Sequence, residues 1–90
     1  MDEETRYTRV IGLLVRELRQ RAGLSQTQLA DRMGSTQPTV SRWERGLCCP
    51  SLWEMRMLGR ALGVALPSLC EDADRIVRII DKRPRRWHLV

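Results

Sequence analysis

The chain reads as an all-α domain of short, closely connected helices, and three observations lead there. Apolar residues between positions 10 and 63 recur every three or four residues and never alternate strictly, as a half-buried strand requires. Each of these runs is followed by glycine, and the later ones are opened by Ser, Thr or Pro, the punctuation of helix ends. Only a few residues are left to connect them, so neighbouring helices must pack on one another.

The first helix is expected over residues 10 to 22, VIGLLVRELRQRA, where Ile11, Leu14, Val15, Leu18 and Ala22 share a face and Gly23 provides the stop. Ser25 then opens an S-x-x-Q capping box with Gln28, and Leu29, Ala30 and Met33 form the apolar stripe of a two-turn helix before Gly34. Thr36 is suited to cap the third helix, Gln37 to about Arg45, with Pro38 in its first turn and Gly46 after it. A second capping box, Ser51 with Glu54, starts the fourth, whose stripe is Leu52, Met55, Leu58, Ala61 and Leu62 up to Gly63. A last helix is expected before Pro84, carrying Leu69, Ala73, Ile76 and Ile80, widened by Val77 and Ile79. Acidic Glu71, Asp72 and Asp74 lead it and Lys82 and Arg83 trail it, the arrangement the helix dipole favours. Its apolar face either covers the domain's own core or meets a second copy. The basic stretch KRPRRWHLV follows, a candidate DNA arm or partner-binding tail.

Composition narrows the function. A chain of 90 residues supports one small core, which favours a binding module. A net charge of +5 and a pI near 10.1 point to a polyanion, nucleic acid or an anionic membrane surface. No apolar run approaches the ~18 residues that span a bilayer, and Asp2, Glu3 and Glu4 are not the basic start of a secretory signal. A cytoplasmic protein is expected. Cys48, Cys49 and Cys70 are odd in number and two are adjacent, so reduced thiols are expected rather than disulfides. With His88 the only histidine and no C-x2-C pair, no metal site is expected. No nucleophile and base pair and no phosphate-cradling glycine loop stands out, so neither catalytic residue nor cofactor is expected and the chain reads as no enzyme.

The second and third helices, joined at Gly34, have the proportions of a helix-turn-helix. At about 100° per residue, Thr39, Val40 and Trp43 cluster on one side of the third helix, while Gln37, Pro38, Ser41, Arg42 and Arg45 spread over the other with Glu44 at the margin. One face packs and one presents. Glutamine and arginine carry paired donors and acceptors that suit bidentate contact with adenine and guanine edges.

From Leu24 to Gly46 the pattern L-S-Q-x-x-L-A-x-x-M-G-x-x-x-x-x-V-S-R-W-E-R-G closely resembles the Cro/repressor (XRE-like) helix-turn-helix DNA-binding family. Upstream, Leu18 and Arg19 fit while Ala22 replaces a basic residue; downstream, P-S-L-W-E-M from Pro50 and R-A-L-G-V from Arg60 fit as well. The resemblance implies a five-helix lambda-repressor-like bundle containing a helix-turn-helix, with a C-terminal helical extension. It implies that Leu29, Ala30, Gly34, Val40 and Trp43 hold the corner together, and that Arg19 and Glu44 form a partly buried ion pair. It further implies that Gln26 touches a DNA phosphate and braces Gln37, that Gln37, Ser41 and Arg42 read bases, and that Pro38 meets a thymine methyl.

After Gly46, where many relatives are basic, this chain has Leu47, Cys48 and Cys49. Phosphate contact is therefore expected from Arg9, Arg45 and Arg56, with Arg6, Arg60 and backbone N–H groups as further candidates. The expected division is an N-terminal arm over residues 1–9, the helix-turn-helix domain over 10–70, and a C-terminal helix and basic tail over 71–90. The expected function is sequence-specific binding of double-stranded DNA, at an inverted-repeat operator, by a homodimeric repressor with no membrane partner. The alternative is a DNA-binding antitoxin or adaptor whose residues 66–90 hold a protein partner.

Overall fold

Five helices run through residues 2–81, the part of the chain that the computed structural model describes: α1 (Glu3–Arg21), α2 (Gln26–Met33), α3 (Gln37–Glu44), α4 (Leu52–Leu62) and α5 (Leu66–Asp81). Among the described residues there is no strand. The basic stretch read as a DNA arm or partner-binding tail, residues 82–90, lies outside them.

Local chemistry explains most of the boundaries. Both predicted capping boxes form: Gln28 N–H donates to Ser25 Oγ at 3.0 Å and Ser25 N–H to Gln28 Oε1 at 2.8 Å, and the Ser51 and Glu54 pair repeats the exchange at 3.1 and 2.8 Å. Thr36 differs from expectation, since its hydroxyl pairs with that of Thr39 at 2.9 Å instead of capping a backbone N–H. The turn after α2 depends on Gly34, which adopts φ 67° and lets Ser35 N–H reach back to the Ala30 carbonyl at 2.8 Å.

Two boundaries depart from expectation. α1 begins at Glu3, well ahead of Val10, so the stretch expected as an arm is helical from Glu3 onward. Asp2 makes this possible by accepting the Thr5 N–H at 2.7 Å, Glu3 and Glu4 lie favourably in the first turn, and Tyr7 packs against the core. The Thr5 bond holds the Asp2 carboxyl below its ordinary value, so this cap is present at neutral pH and is lost as pH falls through that lowered value. At the other end α5 starts at Leu66, and the division expected at residues 70 and 71 falls inside it.

One core joins all five helices: Val10, Ile11 and Val15 from α1, Leu29 and Ala30 from α2, Val40 and Trp43 from α3, Met55 and Leu58 from α4, and Leu69, Ala73 and Val77 from α5. α5 therefore covers the domain's own core, but through a stripe rotated from the expected one. Val77 is buried, Ile76 is half-buried, and Ile79 and Ile80 are 64% and 56% exposed.

α1 crosses α3 closely enough that backbone meets backbone. A Cβ at Gly12 would overlap the carbonyl oxygen of Trp43 and stand 3.1 Å from that of Glu44. Any larger residue must push these two helices apart. Gly12→Ala is therefore expected to lower stability by about 1–3 kcal/mol, read as a lower urea midpoint at unchanged slope; a midpoint equal to that of the parent would show that the crossing yields freely.

Candidate nucleic-acid interface

The α2–α3 corner divides its residues sharply. Leu29, Ala30, Val40 and Trp43 are sealed inside, each no more than 2% exposed, while Gln37, Pro38, Arg42 and Arg45 are exposed and Gln26 and Ser41 are partly so. This is the division the 100° rotation predicts for α3. The outward face carries cations, amides and a hydroxyl, and no carboxylate.

Glu44 departs from the position that helical rotation gave it and forms with Arg19 the ion pair that the resemblance implied. Instead of lying at the margin of the exposed face it turns inward and is buried, because Arg19 arrives from α1 to meet it. Arg19 stands two helical turns beyond Gly12 on the same face of α1, so the glycine contact with the end of α3 brings its guanidinium to the carboxylate. The pair is forked: Nε donates to Oε2 at 2.6 Å and Nη2 to Oε1 at 2.9 Å, with side chains 12% and 3% exposed. Arg19 Nη1 also donates to the Leu24 carbonyl at 2.8 Å, tying in the loop before α2. The Glu44 hydrogen bond holds the guanidinium above its ordinary pKa; that contribution is lost only at extreme alkaline pH.

From this pair a line of amides runs outward. Gln26 Nε2 donates to Glu44 Oε1 at 3.1 Å, and Gln37 Nε2 donates to Gln26 Oε1 at 2.8 Å. The bracing of Gln37 by Gln26 that the family resemblance implied is thus formed in the free protein. Arg42 and Arg45 are less constrained, with contacts of 3.4 Å to Thr39 Oγ1 and to the Ser41 carbonyl.

The remaining candidates are more scattered. The Arg9 stem lies against Gly46, 2.8 Å from where a Cβ would stand, so α1 delivers an exposed arginine beside the loop after α3. Sequence periodicity gave no sign of this, because the contact spans two distant segments. Arg56 and Arg60 line a groove between α4 and the start of α5, with Gly59, Gly63 and Val64. The loop itself is uncharged: Leu47, Cys48 and Cys49 are exposed, and Trp53 is 63% exposed beside Gly34 and Ser35. The three cysteines are free, and partial desolvation of its sulfur, with Cys48, Glu4 and Glu54 adding, pushes the Cys49 thiol up, so that it stays protonated at neutral pH.

The family described as helix-turn-helix domain matches residues 10–71. The chain belongs to this helix-turn-helix family. Over 50 residues it is 44% identical to a protein of Methanothermobacter thermautotrophicus (strain Delta H) described as an uncharacterized HTH-type transcriptional regulator, a match covering 56% of this chain and 72% of that protein. Its fold resembles the crystal structure of the clp gene regulator ClgR from C. glutamicum, with a TM-score of 0.70 at 22% identity over 76% of this chain and 88% of that one. Both of these similar proteins are described as regulators. No helix among the described residues is long and apolar enough to cross a membrane.

The buried fork also makes a thermodynamic prediction. Glu44→Ala strands a mostly buried guanidinium and should cost about 3–5 kcal/mol, whereas Arg19→Met with Glu44→Leu should recover most of that loss. Equal denaturant midpoints for the single and double variants would contradict it.

Proposed function

We propose that this protein is a sequence-specific regulator of transcription that binds double-stranded DNA through α3 in the major groove and acts as a homodimeric repressor. The observation that carries the reading is the outward face of α3, where Gln37 is held by Gln26 while Ser41, Arg42 and Pro38 stand open beside it. Gln37, Ser41 and Arg42 read base edges and Pro38 contacts a thymine methyl. Gln26, Arg9, Arg45 and Arg56 hold phosphates, joined by the first-turn N–H groups of α2. Binding occludes the DNA beneath the protein, so repression needs no further element.

Dimerisation uses the groove between α1 and α5, lined by Leu13, Leu14, Arg16, Glu17 and Ile76, beyond which Ile79 and Ile80 continue the apolar surface. Its rim carries both signs of charge, which lets two copies complement each other across a two-fold axis. Two α3 helices then meet half-sites roughly 34 Å apart on an inverted repeat. The exposed Ile79 and Ile80 also favour the second reading, in which the C-terminal segment holds a different protein. Deleting residues 66–90 cannot separate the two, since Leu69, Ala73 and Val77 belong to the core; Ile80→Asp can.

Selection of bound sites from random duplexes tests the whole reading, and a palindromic consensus is expected. On that consensus Arg42→Ala should flatten preference at one base pair by about 1–3 kcal/mol, while Arg56→Ala should weaken matched and scrambled duplexes alike and lower the salt slope by about 1. Uniform loss for both variants would refute the assigned roles. Ile80→Asp should turn a dimer in sedimentation into a monomer with weakened binding to the paired half-sites; a dimer that survives the change would move the interface elsewhere.

A further inference from the structure

The amide line from Glu44 to Gln37 has a direction. An amide's oxygen and nitrogen are nearly equal in size, so packing alone does not choose between its two flips. A carboxylate does choose, because it only accepts. Both Glu44 oxygens face Arg19, and Oε1 also faces Gln26 at 3.1 Å. Gln26 must therefore turn its NH2 inward, which leaves its Oε1 facing Gln37 at 2.8 Å. Oxygen again only accepts, so Gln37 gives one N–H to the line and keeps its carbonyl oxygen and second N–H on the exposed side. With the line reversed, Gln37 would spend its oxygen inward and present two N–H groups.

We infer that Glu44, though buried and without access to DNA, is a positioning residue for base choice: through Gln26 it fixes which groups Gln37 offers the groove. One acceptor beside one donor matches adenine, whose N6 donates and N7 accepts; two donors match guanine, whose O6 and N7 both accept. The inference rests on the proposed reading of α3 and adds to it a selection for adenine over guanine, imposed from inside the protein. Glu44→Gln removes the fixed direction of the line: an amide NH2 at the Oε1 position meets Arg19 Nη2 and at the Oε2 position meets Arg19 Nε, so neither flip is selected and Gln26, with Gln37 beyond it, turns either way. Gln26→Leu cuts the line and leaves the Arg19 fork intact.

The experiment uses the full chain and a duplex selected by it, in which the base pair sensitive to Gln37→Ala is varied between adenine and guanine. The parent should prefer adenine by roughly 5- to 150-fold, the range of one bidentate contact. Glu44→Gln should lower that ratio to within about threefold of unity, and Gln26→Leu should bring it near unity as well. Binding to scrambled duplex by Glu44→Gln should stay within about twofold of the parent, a split that a purely structural loss does not produce. Equal ratios in parent and variants, or loss shared evenly by both duplexes, overturn the inference while leaving DNA binding intact. A parent that binds no duplex overturns the proposed function itself. Should Glu44→Gln fail to fold by circular dichroism, the double variant Arg19→Met with Glu44→Leu decides, since it removes the carboxylate and keeps Gln26 and Gln37: a ratio moved toward unity supports the inference, and an unchanged ratio overturns it.

Discussion

The Glu44 carboxylate is where the molecule is tied together. It lies at the end of α3, takes a forked arginine from α1 and an amide from the start of α2, and so relates three helices through one group. Its net effect on stability is small, because removing two charges from water costs about what their pairing returns. Stability comes from the apolar core, in which Trp43 and Leu29 are almost fully sealed. The core would tolerate small rotations of α2 against α3; a fork with two bonds and a third partner does not. Orientation, more than free energy, is what the charge contributes.

That distinction explains which parts of the architecture were legible in advance. Helix ends are written locally, and Ser25 with Gln28, Ser51 with Glu54, and Gly34 each closed or opened a helix where the residue types predicted. The start of α1 escaped because its first turns are polar, and the signal that matters, a single capping Asp2, lies outside any periodic pattern. α5 was found, yet its buried stripe ran through Val77 instead of Ile80, since the choice between neighbouring apolar faces depends on where α1 and α4 lie.

The candidate interface divides in the same way. Which residues of α3 face outward follows from helical rotation, and Gln37, Arg42 and Arg45 are exposed accordingly. The inward turn of Glu44 and the approach of Arg9 to Gly46 were beyond rotation alone, because each depends on α1 crossing from a distant part of the sequence. The family resemblance anticipated the first and said nothing of the second. It also threw the uncharged loop Leu47–Cys48–Cys49 into relief, and on the proposed reading the arginine that α1 holds beside Gly46 stands in for the missing charge there.

Gly12 gives this arrangement an unexpected freedom. Where two helices are spaced by bulky side chains, exchanging any of them shifts the frame, and a change made for one purpose disturbs another. Here main-chain atoms themselves set the distance between α1 and the far end of α3. The residues displayed to a partner are no part of that spacer, so the vocabulary of the outer surface can be rewritten while the grammar that carries it is left alone.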